Sequence, residues 1–162
     1  MTNFKKIRNT VKWLASISQN DHTIVPYKDG YRVSNRFAVR HSSFGWSVTD
    51  DYTDREIEFV EIRTALAYCM ALNANNRALA KELHTLDSKY HRKQFDVQNK
   101  IYLLSNSNMD SEMRAIMVIK LDEDVKISKY LKIELQKRLN LAKYIKVKGS
   151  HYEFTGIDKN CQ

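Results

Sequence analysis

Glycine and proline are nearly missing from this chain. Four glycines and one proline occur in 162 residues, and neither type occurs between Gly45 and Gly149. A stretch of about a hundred residues without the two strongest breakers of regular structure has few loops. Its apolar residues recur every three or four positions, so most of it reads as helix. The shortage also excludes function classes. There is no glycine-rich phosphate loop, no nucleophile elbow, no HExxH and no Cys-x-x-Cys pair. Enzymatic activity is therefore not expected, and neither a cofactor nor a metal site is implied. Acid pairs such as Asp50-Asp51 and Asp122-Glu123-Asp124 suit turns and helix starts and need no catalytic role.

Cysteine is scarce as well. Cys69 falls mid-helix and Cys161 near the end of the sequence, which makes no disulfide framework and points to a reducing compartment, the cytoplasm. No apolar run approaches the roughly 18 residues that suggest a membrane span. The basic stretch over residues 1–19 is broken by lysines and lacks a small-residue cleavage site, so neither a membrane partner nor a secretory leader is expected.

What is present is a basic chain with enough greasy residues for a core. It is 43% hydrophobic, carries a net charge of +8 and has a pI near 9.4. Such a charge favours anionic partners, DNA or RNA among them. The segment 21–61 is mildly acidic, and the positive excess sits on residues 1–20 and on the helices. The weight of Lys, Asn, Ile and Tyr over Gly, Pro and Ala is what an AT-rich genome tends to encode.

The spacing of Phe4, Ile7, Val11, Leu14 and Ile17 predicts a short amphipathic helix over 3–18. The period then changes. Pro26, the Lys28-Asp29-Gly30 turn signal and the cluster Ser42–Gly45 punctuate short runs. Tyr31, Val33, Phe37 and Val39 alternate with Arg32, Ser34, Arg36 and Arg40, the pattern of one half-buried strand. A second strand begins at Trp46 and a third contains Ile57 and Phe59. The expectation is a three-stranded antiparallel meander, too small to stand alone, packed on helix.

A long helix starts near Glu61. With Ile62 at heptad position a, the a positions read Ile62, Cys69, Asn76, Leu83 and Tyr90, and the d positions Ala65, Leu72, Leu79 and Leu86. This seam is the signature of a coiled coil or tight helical hairpin. Buried at a, Asn76 would fix register and partner number; the blander reading is a solvent-facing Asn in a kinked Asn73-Ala74-Asn75-Asn76 stretch. The residues of the expected oligomer seam are thus Ile62, Cys69, Leu72, Asn76, Leu79, Leu83, Leu86 and Tyr90. An unbroken helix to residue 105 would be about 65 Å long at 1.5 Å per residue, so it either breaks near Asn73–Asn76 or projects from the body.

After Ser105–Asn108, Asp110 or Ser111 caps a helix with Met113, Ile116, Met117 and Leu121 inward. Asp122–Asp124 reads as the acidic first turn of a last helix, striped by Ile127, Leu131, Leu135, Leu139, Ala142 and Ile145, and ended near Lys148 by Gly149. The architecture expected is α+β: residues 1–60 an N-terminal helix and β-meander, 61–149 a long helix in an antiparallel helical hairpin, and 150–162 a tail.

Three constellations carry possible chemistry. Lys126, Lys129, Lys132, Lys137, Arg138, Lys143, Lys146 and Lys148 give the last helix a basic face able to bind phosphate backbones by counterion release, with Tyr130 and Tyr144 for stacking. The blander reading is the solvated side of an amphipathic helix. His84, Asp87 and His91 share one helical face, but the histidines lie about 10 Å apart along the axis, so exposure is the simpler expectation. Arg32, Arg36 and Arg40 share a strand face opposite Ser47 and Thr49. With Gly45-Trp46-Ser47-Val48 and Thr64-Ala65-Leu66-Ala67-Tyr68, the three-strand-then-helix order resembles Apetala-type DNA-binding domains. That resemblance implies a DNA-reading sheet. Glu56 and Glu58 on the same face favour cross-strand Arg–Glu pairing instead.

A second resemblance rests on Phe44-Gly45-Trp46-Ser47-Val48 and on Phe59-Val60-Glu61-Ile62-Arg63-Thr64-Ala65-Leu66-Ala67-Tyr68-Cys69. These stretches resemble small uncharacterised proteins of marine tailed phages, and the likeness transfers no functional residue. It implies a viral accessory or structural protein, resident in the virion or the host cytoplasm. The functional expectation is a non-enzymatic assembly protein that meets itself or another protein through its helical seam. The alternative is a nucleic-acid-binding accessory protein using the basic helix.

Overall fold

The computed structural model describes residues 24–142 and the backbone of two short strands, Ile145–Lys148 and His151–Phe154. The helix expected over 3–18, Lys143 and the ending at Gly149 lie outside the described residues.

Five strands, not three, form one antiparallel sheet in chain order: β1 (Ile24–Tyr27), β2 (Gly30–Val33), β3 (Phe37–Ser42), β4 (Gly45–Asp50) and β5 (Arg55–Phe59). The expected single strand over 31–40 is really the hairpin of β2 and β3. Its loop, Ser34-Asn35-Arg36, has positive φ at Ser34 and Asn35, a backbone that matches strand twist at the cost of left-handed conformations. Val33 pairs with Phe37 and Tyr31 with Val39. A loop of odd length leaves odd-numbered residues on one face on both sides of the turn, so the alternation runs through it unbroken. β1 carries Pro26 and lies at the sheet's edge, where a missing N–H costs no ladder bond.

Arg36 consequently leaves the strand face it was expected to share with Arg32 and Arg40. From the turn it donates Nε to Asp50 Oδ1 at 2.9 Å and Nη2 to Asp50 Oδ2 at 2.8 Å, while its guanidinium stacks 4.3 Å from the Tyr52 ring. The Tyr52 N–H also donates to Asp50 Oδ1. This bidentate pair joins the β2–β3 loop to the β4–β5 loop. The Arg36 hydrogen bonds hold the Asp50 carboxyl below its ordinary pKa, against the opposing effect of burial.

One face of the sheet meets α1 (Ile62–Asn73). Val33, Phe37, Val39, Val48 and Phe59 are fully buried against Ala65, Leu66, Cys69 and Met70. The small residues Ala65, Ala67 and Ala71 let helix and sheet approach closely. The helix then breaks. Asn75 takes a left-handed conformation with φ 56°, and α2 (Arg77–Asn106) starts anew with Asn76 as its N-cap, its side-chain oxygen accepting from the Leu79 N–H at 3.1 Å. Asn76 therefore occupies no leucine layer, and the seam is not one continuous helix.

The other seam residues serve the chain's own core. Cys69, Leu79 and Leu83 are buried, and Ile62, Leu72, Leu86 and Tyr90 are half-buried around them, in the same cluster as the sheet residues and Leu135, Leu139 and Ala142.

The last helix also differs from expectation. α3 runs unbroken over Ser111–Ala142, antiparallel to α2. Asp110 is its cap, with Oδ1 accepting from the Met113 N–H at 2.7 Å. Asp122–Asp124 lies mid-helix rather than in a first turn. The helix ends at Ala142, and Lys146 and Lys148 belong to β6 (Ile145–Lys148), which pairs with β7 (His151–Phe154) in a separate two-stranded sheet. Ile145 therefore leaves the helical stripe as well.

Two outcomes test this architecture. Arg36→Lys keeps the charge but loses the fork, and we expect a loss of roughly 1.5–3 kcal/mol of unfolding free energy in urea. Because the folded pKa of Asp50 is depressed, its contribution is present above the unfolded value, about 3.9, and is lost as pH falls through the folded one. The stability difference between parent and Arg36→Lys should therefore shrink on acidification below pH about 4. Separately, a Cβ on Gly30 would lie 1.8 Å from the Val39 carbonyl oxygen. Gly30→Ala should accordingly lower the melting temperature by several degrees, corresponding to about 1–3 kcal/mol of overpacking.

Candidate interaction surface on the helical hairpin

The hairpin of α2 and α3 is closed by polar side chains as well as by leucines. Asp124, buried on α3, accepts from Lys93 at 3.1 Å and from Lys100, both on α2. The Lys100 hydrogen bond holds the Asp124 carboxyl below its usual range, and Asp124 in turn raises Lys93. One turn along, Gln94 donates to Ser128 Oγ at 2.9 Å and to Tyr90 Oη at 3.1 Å. Nearer the sheet, Arg138 joins Glu82 of α2 to Glu134 of its own helix. At the far tip Arg114 donates to the Leu104 carbonyl at 3.0 Å, satisfying an acceptor at the end of α2.

A second buried acid ties the hairpin to the sheet. Asp87 was expected to be exposed with His84 and His91, but it is 1% exposed. Its Oδ2 accepts from the Val60 N–H at 2.9 Å, where β5 turns into α1. Its Oδ1 lies 3.7 Å from His91 Nε2. Burial pushes the Asp87 carboxyl up, opposed by the Val60 hydrogen bond and by His91. His84 packs edge-on against Phe59, 5.1 Å between ring centres. The described residues contain no group of His, Cys, Asp and Glu able to hold a metal. These residues fix the junction between layers.

The expected basic face divides under this geometry. Lys126 pairs with Asp122 at 3.0 Å, Lys137 with Glu134 at 3.0 Å, and Arg138 with both of its glutamates. Lys129 and Lys132 make no ion pair among the described residues. They edge a shallow groove of about 200 Å³ with Tyr90, Gln94, Val97, Val125 and Ser128. Lys146 and Lys148 stand on β6, off the helix. On the sheet, Arg32 pairs with Asp51 at 2.7 Å and Arg36 with Asp50, so the three arginines present no common basic face.

The remaining surface of α3 is the unexpected one. Leu131, Leu135, Leu139 and Ala142 point into the core as the spacing requires. Met113, Ile116 and Ile127, expected inward, are exposed. So are Ile119, Tyr130 and Ile133, and the six lie between 45% and 62% exposed. Met117 and Leu121 are half-buried instead. Phe95 and Tyr102 add exposed aromatics on α2, at 70% and 64%. Scattered apolar side chains are normal on a protein surface, whereas contiguous apolar patches are where interaction sites tend to occur. Helical spacing places Ile116, Ile119, Ile127 and Tyr130 on one side of α3, a strip about 21 Å long from first to last. No described helix is long and apolar enough to cross a membrane.

No protein-family model, curated protein or solved structure matches this chain, so the surface is interpreted from its own chemistry.

Proposed function

We propose that this chain is a non-enzymatic accessory or assembly protein, of phage type, that works by docking the outer face of α3 against another helical surface. One observation carries the reading. α3 buries one apolar stripe in its own core and displays a second, with Ile116, Ile119, Ile127 and Tyr130 all 45% exposed or more. A helix apolar on more than one side is normally an interior helix. The partner is therefore protein, and it supplies the missing cover. The phage setting rests on the resemblance of Phe44–Val48 and Phe59–Cys69 to tailed-phage proteins.

The original seam contributes differently from what its heptads suggest. Cys69, Leu72, Leu79, Leu83, Leu86 and Tyr90 build the body that presents α3, and the docking strip lies outside that set. The nucleic-acid alternative retains Lys129 and Lys132. It is weakened by the pairing of Lys126, Lys137 and Arg138, since each paired cation would have to exchange an internal carboxylate for a phosphate.

The test is isolation of the parent chain and of an Ile116→Lys/Ile127→Lys variant from cells that naturally express it. Both sites are exposed, so the variant should unfold within about 0.5 kcal/mol per site of the parent. The parent should retain a protein, either another chain or a second copy, in a stoichiometric complex that survives about 1 M salt, where charge contacts are screened. The variant should lose it. A parent that purifies alone as a monomer, or whose associate is nucleic acid released by salt, would refute the proposal.

A further inference from the structure

We infer that the cover for the exposed strip is a second copy of this chain, with two α3 helices packed antiparallel about a two-fold axis at Glu123. The inference rests on the docking reading above and adds the identity and geometry of the partner.

The spacing of the exposed side chains carries it. Ile116 and Ile119 precede Glu123 by seven and four residues. Ile127 and Tyr130 follow it by four and seven. All four are exposed, and helical spacing keeps them within an arc of about 80°. An isologous interface requires that when one residue meets another, the second also meets the first across the axis. A strip that reads the same in both directions meets that requirement when two copies run antiparallel. Ile119 then faces the partner's Ile127 and Ile116 the partner's Tyr130. Each pair is made twice across the axis, and together they form an apolar core.

Charge agrees with this arrangement. Glu123 is exposed and makes no ion pair among the described residues. On its own it would face its counterpart on the axis, a like-charge contact that opposes pairing. Lys120 and Lys126 stand one turn to either side, so the partner's two lysines bracket each Glu123. Among the described residues Lys126 pairs with the exposed Asp122, at 3.0 Å, and Lys120 makes no ion pair. Exposed pairs of that kind exchange at little cost.

Cysteine cross-linking reads the axis directly. The full chain carries Cys161→Ser, and Cys69 stays because it is buried. Under mild oxidation Glu123→Cys should form a disulfide-linked dimer with its own copy. Ile116→Cys alone and Tyr130→Cys alone should cross-link poorly, while an equal mixture of the two should cross-link well. The unoxidised parent should sediment at twice its 19.0 kDa at high micromolar concentration. Glu123→Lys should weaken that association about tenfold, since it puts a cation among cations. Circular dichroism of each variant checks that it is folded. A strict monomer, or Ile116→Cys linking efficiently to itself as parallel helices would, overturns the inference. If the monomer nevertheless holds a different protein through the same strip, the docking reading survives and only self-pairing falls. If it holds nothing, both fall.

Discussion

The break between α1 and α2 sets the position of everything that follows it. A continuous helix from Ile62 to Asn106 would carry Leu79 and Leu83 away from the sheet along a straight axis. The left-handed Asn75 and the cap at Asn76 turn the chain instead. α1 then lies across the sheet, while α2 starts in a new direction and still returns Leu79, Ala80 and Leu83 to the same core. The price is one strained residue and the loss of helical bonding across the turn. It is partly offset by the Asn76 cap, worth about 1 kcal/mol in comparable helices, and by bonds from the Asn75 and Asn76 N–H groups back to Leu72 and Ala71. Beyond that core, α2 and α3 extend together, and among the described residues no further layer covers the strip on α3.

Leucine packing alone allows an antiparallel pair of helices to slide. Asp124 between Lys93 and Lys100, and Ser128 against Gln94, remove that freedom, because a shift of one turn would strand a buried carboxylate or hydroxyl. Buried polar groups contribute little net stability but penalise the wrong arrangement heavily. Asp87 does the same between layers. It accepts the Val60 N–H at the only place where sheet and α2 share a hydrogen bond among those described. The register of the hairpin, and therefore the direction in which α3 presents Ile116 to Tyr130, follows from a few polar contacts rather than from the apolar pattern.

Local chemistry made parts of this fold readable from the chain alone. The strands at Trp46 and Ile57, the helix start near Glu61, the possible break at Asn73–Asn76 and the cap at Asp110 all depend on neighbours within a few residues. What was hidden depends on distant ones. The β2–β3 turn leaves no mark on the sequence pattern because its odd loop length preserves alternation. Asp122–Asp124 looked like a helix start because acids favour that position, yet Asp124 is buried mid-helix by two lysines contributed by α2. The inward assignment of Met113, Ile116 and Ile127 failed for a different reason. α3 has apolar residues on more than one side, and periodicity then cannot say which side the core takes. Exposure decides it, and only the position of α2 fixes exposure.

A net charge of +8 and an exposed apolar strip look contradictory in one small protein, but they act at different ranges. Like charge repels at separations up to about a Debye length, near 8 Å at physiological salt, and so opposes random sticking in any orientation. Apolar contact acts only when surfaces meet. In the dimer inferred above, association is then favoured only in poses that bring the strips together while opposing signs of charge face each other. In that dimer Glu123, exposed beside Asp122 in the middle of a basic helix, is the residue at which such a pose becomes distinguishable from the rest. Replaced by a lysine, the strip would keep its apolar area and lose its means of choosing an orientation.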